Sequence, residues 1–149
     1  MEGEEELQKF CAAGRPMMLS TDAAGLVEAI SSLLPEVDRK ALLQDKGMGQ
    51  YTLESIHEAL RLDSNGWVDD DLAFIAPSWG FEFSEVKVPV LLYHGSEDKM
   101  CPYAHGEWLA KHLPQDKVIK HLVQGEGHIS IFLSFRDSMI DELLEIAKP

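Results

Sequence analysis

The spacing of apolar residues changes near residue 80. Before it, apolar positions recur at helical intervals. Leu26, Ile30, Leu33 and Leu34 fall on one face of a predicted helix that Ser20-Thr21-Asp22 can cap and Pro35 helps to stop. Leu53, Ile56 and Leu60 mark a second helix, which begins near Thr52 and fades by Asp63-Ser64-Asn65-Gly66. Gly47-Met48-Gly49 reads as the loop between them. A third helix starts at Trp67 and is closed by Pro77; Asp69, Asp70 and Asp71 occupy its first turn, where carboxylates suit the positive end of the helix dipole.

After residue 80, strand and helix signals alternate. Val88 to Tyr93 is a continuous apolar run of strand type, as in a sheet covered on both faces. Tyr103 to Leu113, bounded by Pro102 and Pro114, reads as a helix, and Lys117 to Val123 as a second strand. Phe132, Phe135, Met139, Ile140, Leu143, Leu144 and Ala147 then return to helical spacing. Strand, helix, strand, helix implies a right-handed crossover and a parallel pair, so the expected fold class is α/β.

Composition narrows the function classes. With 149 residues, 45% hydrophobic and 26% charged, the chain has the make-up of one globular domain or a large piece of a bigger one. A net charge of −13 argues against nucleic acid or an anionic membrane as partner, since both need a basic face. Met1-Glu2-Gly3-Glu4-Glu5-Glu6 has neither the positive nor the apolar region of a secretory signal, and no apolar run approaches the length of a membrane span. Cys11 and Cys101 are isolated, so two free thiols in a cytoplasmic protein are expected.

Two residues carry the candidate chemistry. Asp98 lies in the loop after the first strand and His128, in Gly125-Glu126-Gly127-His128, in the loop after the second. Functional side chains of open α/β sheets gather beyond the carboxyl ends of the strands. Adjacent parallel strands can therefore bring this carboxylate and imidazole to about 3 Å. The carboxylate would accept from one ring N–H, fix the tautomer and stabilise the imidazolium formed when the other nitrogen takes a proton. The competing reading makes Asp98 an Asx-turn residue and His128 structural.

Other candidates are weaker. Ser78, in Ala76-Pro77-Ser78-Trp79-Gly80, precedes Asp98 in triad order, but Pro77 and the following Phe81-Glu82-Phe83-Ser84-Glu85 do not suit the strained strand-to-helix elbow a nucleophilic serine needs. A carboxylate near Cys101 raises a thiol pKa, the wrong direction for activation. Asp69, Asp70 and Asp71 point different ways along a helix and lack the Gly and distal Glu of a calcium loop. His105 and His112 are two turns apart, too far to share a metal. No metal or cofactor is expected. Trp67, Trp79, Phe81 and Phe83 could line an apolar pocket or simply pack.

Pro89-Val90-Leu91-Leu92-Tyr93-His94-Gly95-Ser96-Glu97-Asp98, then Met100-Cys101-Pro102, Gly106-Glu107-Trp108-Leu109-Ala110 and Gly125-Glu126-Gly127-His128, closely resemble the C-terminal end of α/β-hydrolase-fold enzymes. Gly66-Trp67-Val68-Asp69-Asp70-Asp71-Leu72-Ala73-Phe74 and Trp79-Gly80-Phe81 resemble the cap-to-core join of the soluble, prolyl-aminopeptidase-like members. The resemblance covers residues 66–133. It implies a partial α/β-hydrolase fold, in which residues 1–80 are a mainly helical cap-like region. Residues 81–149 would then be the C-terminal part of the core, with its last two parallel strands and flanking helices. It makes Asp98 the triad acid and His128 the triad base.

The chain contains no G-x-S-x-G, and the nucleophile-bearing first half of such an enzyme is absent. The expected function is therefore the C-terminal portion of a serine-type hydrolase acting on a small ester, amide or related carbonyl substrate, inactive alone. Two strands are marginal in isolation and leave an edge to cover. Self-association or a complementary chain is expected. The alternatives are a non-enzymatic binding or dimerisation module of hydrolase ancestry, or a truncated piece of a longer active hydrolase.

Overall fold

The computed structural model describes residues 2–76 and 78–148, with the side chains of Glu2 and Lys46 left aside. Its elements, in order, are α1 (Glu2–Ser20), α2 (Ala23–Ala29), α3 (Glu36–Gln44), α4 (Lys46–Ala59), α5 (Asn65–Phe74), β1 (Val90–Gly95), α6 (Tyr103–His112), β2 (Val118–Val123) and α7 (Ser130–Ile146), with short 3-10 turns at Ser31–Leu33 and Phe83–Glu85. They group into two compact units. One comprises residues 1–29 and 46–80, the other 30–45 and 81–149.

The expected fold class is corrected. Seven α-helices dominate the described residues, and the sheet has only two short strands, β1 beside β2. This is not the many-stranded core sheet of an α/β hydrolase. Periodicity reported both strands but neither α1 nor α3, so it understated the helical share of the fold. Of the element predictions, the strands and the crossover helix lie within two residues of the expected positions at either end. The helix expected through Leu34 stops at Ala29 and continues as a 3-10 turn. The glycines at 47 and 49 lie inside α4 rather than in a loop. Pro77, expected to close the third helix, lies outside the described residues.

The first unit is helical throughout. On α1, Cys11 is fully buried, Phe10 meets Trp67 of α5 edge to face at 6.1 Å, and Gly14 runs against the same indole. Leu26, Leu53, Leu60 and Val68 complete its core. Arg15 donates from Nε to the Leu60 carbonyl at 2.7 Å and from Nη2 to that of Arg61 at 2.8 Å, meeting carbonyls that the end of α4 leaves open.

In the second unit β1 and β2 run parallel, with Val90 opposite Val118 and Gly95 opposite Val123. Helix α6 crosses between them, and α7 and α3 pack beside each other. Leu34, Leu42, Ala110, Leu113, Val118 and Ile131 are buried. Equal register at the strand ends brings the two following loops together.

Candidate functional site

The loops after β1 and β2 are tied to each other independently of Asp98 and His128. Ser96 N donates to Val123 O and Glu97 N to Glu126 O, both at 2.8 Å. Gly125 N donates to Ser96 Oγ at 2.9 Å. Gly95 lets the second loop cross close above the strand end, since a Cβ there would fall 2.2 Å from Glu126 O. Gly125 has φ +83°, the left-handed backbone that favours glycine. These constraints set where residues 98 and 128 stand.

His128 Nδ1 lies 2.9 Å from Asp98 Oδ2. Asp98 Oδ1 accepts from Met100 N at 2.9 Å and Cys101 N at 2.8 Å. The two competing readings of Asp98 are thus both satisfied, one by each oxygen: Oδ1 holds the turn and Oδ2 faces the imidazole. The Asp98 side chain is 5% exposed and that of His128 47%. A buried carboxylate facing a half-exposed ring must receive a proton from Nδ1, which leaves Nε2 as the acceptor of the neutral imidazole. Nε2 has no hydrogen-bond partner among the described residues, and no Ser, Thr or Cys side chain bonds to it.

Two further residues support this pair. His94, near the end of β1, is buried; its Nε2 lies 2.9 Å from Cys101 O and 3.8 Å from Asp98 Oδ2. Asp38, on α3, is wholly buried, and its carboxylate accepts from His128 N (2.8 Å), Ile129 N (3.0 Å) and Ser130 N (2.8 Å). Ser130 Oγ in turn accepts from Gly127 N at 2.8 Å. Neither residue was singled out from sequence. A weak signal existed for Asp38, because Leu42 follows it at i+4, placing the acid on the same face of α3 as a core leucine.

The remaining candidates are accounted for differently. Ser78 Oγ accepts from Gly80 N at 3.2 Å, a local turn contact. Burial, reinforced by the Asp98 charge, pushes the Cys101 thiol up, and its sulfur lies 3.7 Å from His105 Nδ1. His112 stacks on Trp108 at 4.1 Å and bonds Trp108 O through Nδ1. Among the described residues no three His, Cys, Asp or Glu side chains converge as a metal site. Trp67 lines a cleft of about 330 Å³ with Met18, Ile56, Leu60 and Asp70, whereas Phe83 packs edge to face on Phe81 and Trp108. Glu126 Oε2 is buried without a hydrogen-bond partner among the described residues.

No helix of the described residues is long and apolar enough to cross a membrane. No family model matches the chain, and neither a curated protein nor a solved structure matches it.

Proposed function

We propose that the second unit supplies the acid and base of a hydrolase that works by acyl transfer on a small ester, amide or related carbonyl compound, with the nucleophilic hydroxyl coming from outside this chain. The 2.9 Å contact between His128 Nδ1 and Asp98 Oδ2 carries the reading. Asp98 holds the ring in the tautomer that leaves Nε2 free to accept a proton. Nε2 takes the hydroxyl proton as the nucleophile attacks the carbonyl carbon. Asp98 stabilises the resulting imidazolium, which returns the proton to the leaving group. The resemblance of the strand ends around Asp98 and His128 to those of α/β hydrolases supports the chemistry, though not a core sheet of that kind.

A chain that pairs with this one is the favoured source of the hydroxyl. Among the described residues β1 and β2 pair only with each other, so each presents an edge that a further strand can extend. The two free thiols, Cys11 and Cys101, favour a reducing compartment, and we place the protein in the cytoplasm on that ground.

Hydrolysis of p-nitrophenyl acetate by the purified protein tests the reading, because an activated ester can be attacked by a free imidazole or by water it activates. The rate should fall on the order of tenfold or more in H128Q, with D98N intermediate. An unchanged rate in H128Q would remove the reading.

A further inference from the structure

We propose that Asp38 is a positioning residue for His128, one that sets the imidazole against Asp98 from an element 90 positions earlier in the chain. The inference rests on the reading of Asp98 and His128 as an acid–base pair. Loop 125–130 meets β1's loop on one side, through Glu126 O, Gly125 N and the Gly95 crossing. These contacts all precede His128. Among the described residues no hydrogen bond from that side reaches the N–H of His128, although the Gly95 crossing passes close to Gly127 O of the same peptide. That peptide donates to Asp38 Oδ2 at 2.8 Å, and the next two donate to Oδ1.

Of these three N–H groups, that of Ser130 opens α7 and that of Ile129 belongs to its N-cap residue. No side chain of its own caps that helix, so Asp38 receives donors that would otherwise be unmet and places a negative charge at the positive end of the dipole. A capping role alone would need only the first N–H groups of α7. The bond to His128 N adds something else: it orients the backbone from which the ring projects. The fit is close, because a Cβ on Gly127 would lie 2.4 Å from both Asp38 carboxylate oxygens. Gly127 has no positive φ, so this approach, rather than backbone conformation, is what requires a glycine there. Asp38 and Gly127 form one device, a carboxylate seated in a loop shaped to admit it.

Asn at position 38 separates positioning from capping. It keeps one oxygen, which can still serve Ile129 and Ser130, but presents an amide N–H to the His128 N–H. Leu42→Ala, on the same helix and also buried, serves as a control that lowers stability while leaving the Asp38 carboxylate in place. The readout is the His128 ring tautomer, taken from long-range ¹⁵N–¹H correlation spectra of the whole protein at a temperature where each variant is folded. Wild type and L42A should show Nδ1–H, while D38N and D98N should both populate Nε2–H. D38N should also slow ester hydrolysis on the order of tenfold, since small misplacements of a catalytic group are costly.

Gly127→Ala attacks the same contact from the other side without altering charge, and should reproduce the tautomer mixture if D38N does not fold. A wild-type tautomer in folded D38N or folded G127A overturns the proposal. If instead H128Q leaves hydrolysis intact, the acid–base reading fails while the tautomer measurement still decides the role of Asp38.

Discussion

Gly106 of α6 passes directly against the ring of His94 on β1: a Cβ at position 106 would stand 2.5 Å from His94 Cγ and 2.8 Å from its Cβ. His94 cannot swing aside, because it is buried and its Nε2 is engaged with Cys101 O in the Asp98 turn. Helix and strand therefore meet at van der Waals distance next to the candidate site. Gly106→Ala should cost about 1–3 kcal/mol, as overpacking of a close contact does. Denaturant unfolding measures it; an alanine variant as stable as wild type would show that α6 can retreat without loss.

Cys101 should be a slow nucleophile. Burial raises its pKa above the usual thiol value and the Asp98 carboxylate raises it further, so little thiolate is present near neutrality. Iodoacetamide should modify it more slowly than a small free thiol at pH about 7, with the rate climbing above pH about 9. D98N should speed the reaction by removing the neighbouring charge. Fast alkylation at neutral pH would contradict a raised Cys101 pKa.

Ser78 should not react with a fluorophosphonate. Its hydroxyl accepts from Gly80 N two residues on, and no imidazole is bonded to it. Mass spectrometry after incubation should find the chain unlabelled; a phosphonylated Ser78 would relocate the nucleophile into this chain.

The second unit should lose stability at alkaline pH through Tyr93. Burial raises the Tyr93 phenol above its ordinary value of 10.0, and the charge of Glu142 adds to this. Glu142 also lies 2.9 Å from His121 Nε2, and the His121 ring stacks on Tyr93 at 4.2 Å. A raised pKa means that the folded state holds the proton more tightly than the unfolded chain. The contribution is complete below pH about 10 and is lost as pH climbs through the folded-state value. Unfolding free energy followed upward from pH about 9 should fall more steeply for wild type than for Tyr93→Phe. Parallel curves would assign the loss to other groups.

In the first unit, Arg15 should not be replaceable by lysine. Its fork serves two adjacent carbonyls, Leu60 O and Arg61 O, and a single ammonium lacks that geometry. Arg15→Ala should cost roughly 1–2 kcal/mol in thermal or denaturant unfolding, and Arg15→Lys should recover less than half of it. Full recovery by lysine would mean that charge alone matters at the end of α4.

The parts that could be read from sequence share a physical origin. Val90–Gly95 is a short apolar run ending in glycine and Val118–Val123 a β-rich stretch with Gly125 just beyond it, so strand ends, and the residues after them, are visible without knowing the fold. Helix α1 was hidden because Glu4, Glu5 and Glu6 look like a solvated run and Pro16 argues against an α-helix through it. Gly47 and Gly49 look like loop residues because glycine costs about 1 kcal/mol in a helix interior, a preference that the rest of α4 overrides.

By itself the sequence determined which acid and which base follow two consecutive strands, and in what order. Tertiary structure decided the rest: that seven helices outweigh the two-stranded sheet, that His128 Nδ1 and Asp98 Oδ2 stand 2.9 Å apart, and that Asp38 on α3 bonds the His128 peptide. Periodicity reports how one segment partitions between water and apolar surroundings. It carries no record of which distant segment supplies the partner, and the contact between Asp98 and His128 lies wholly in that choice.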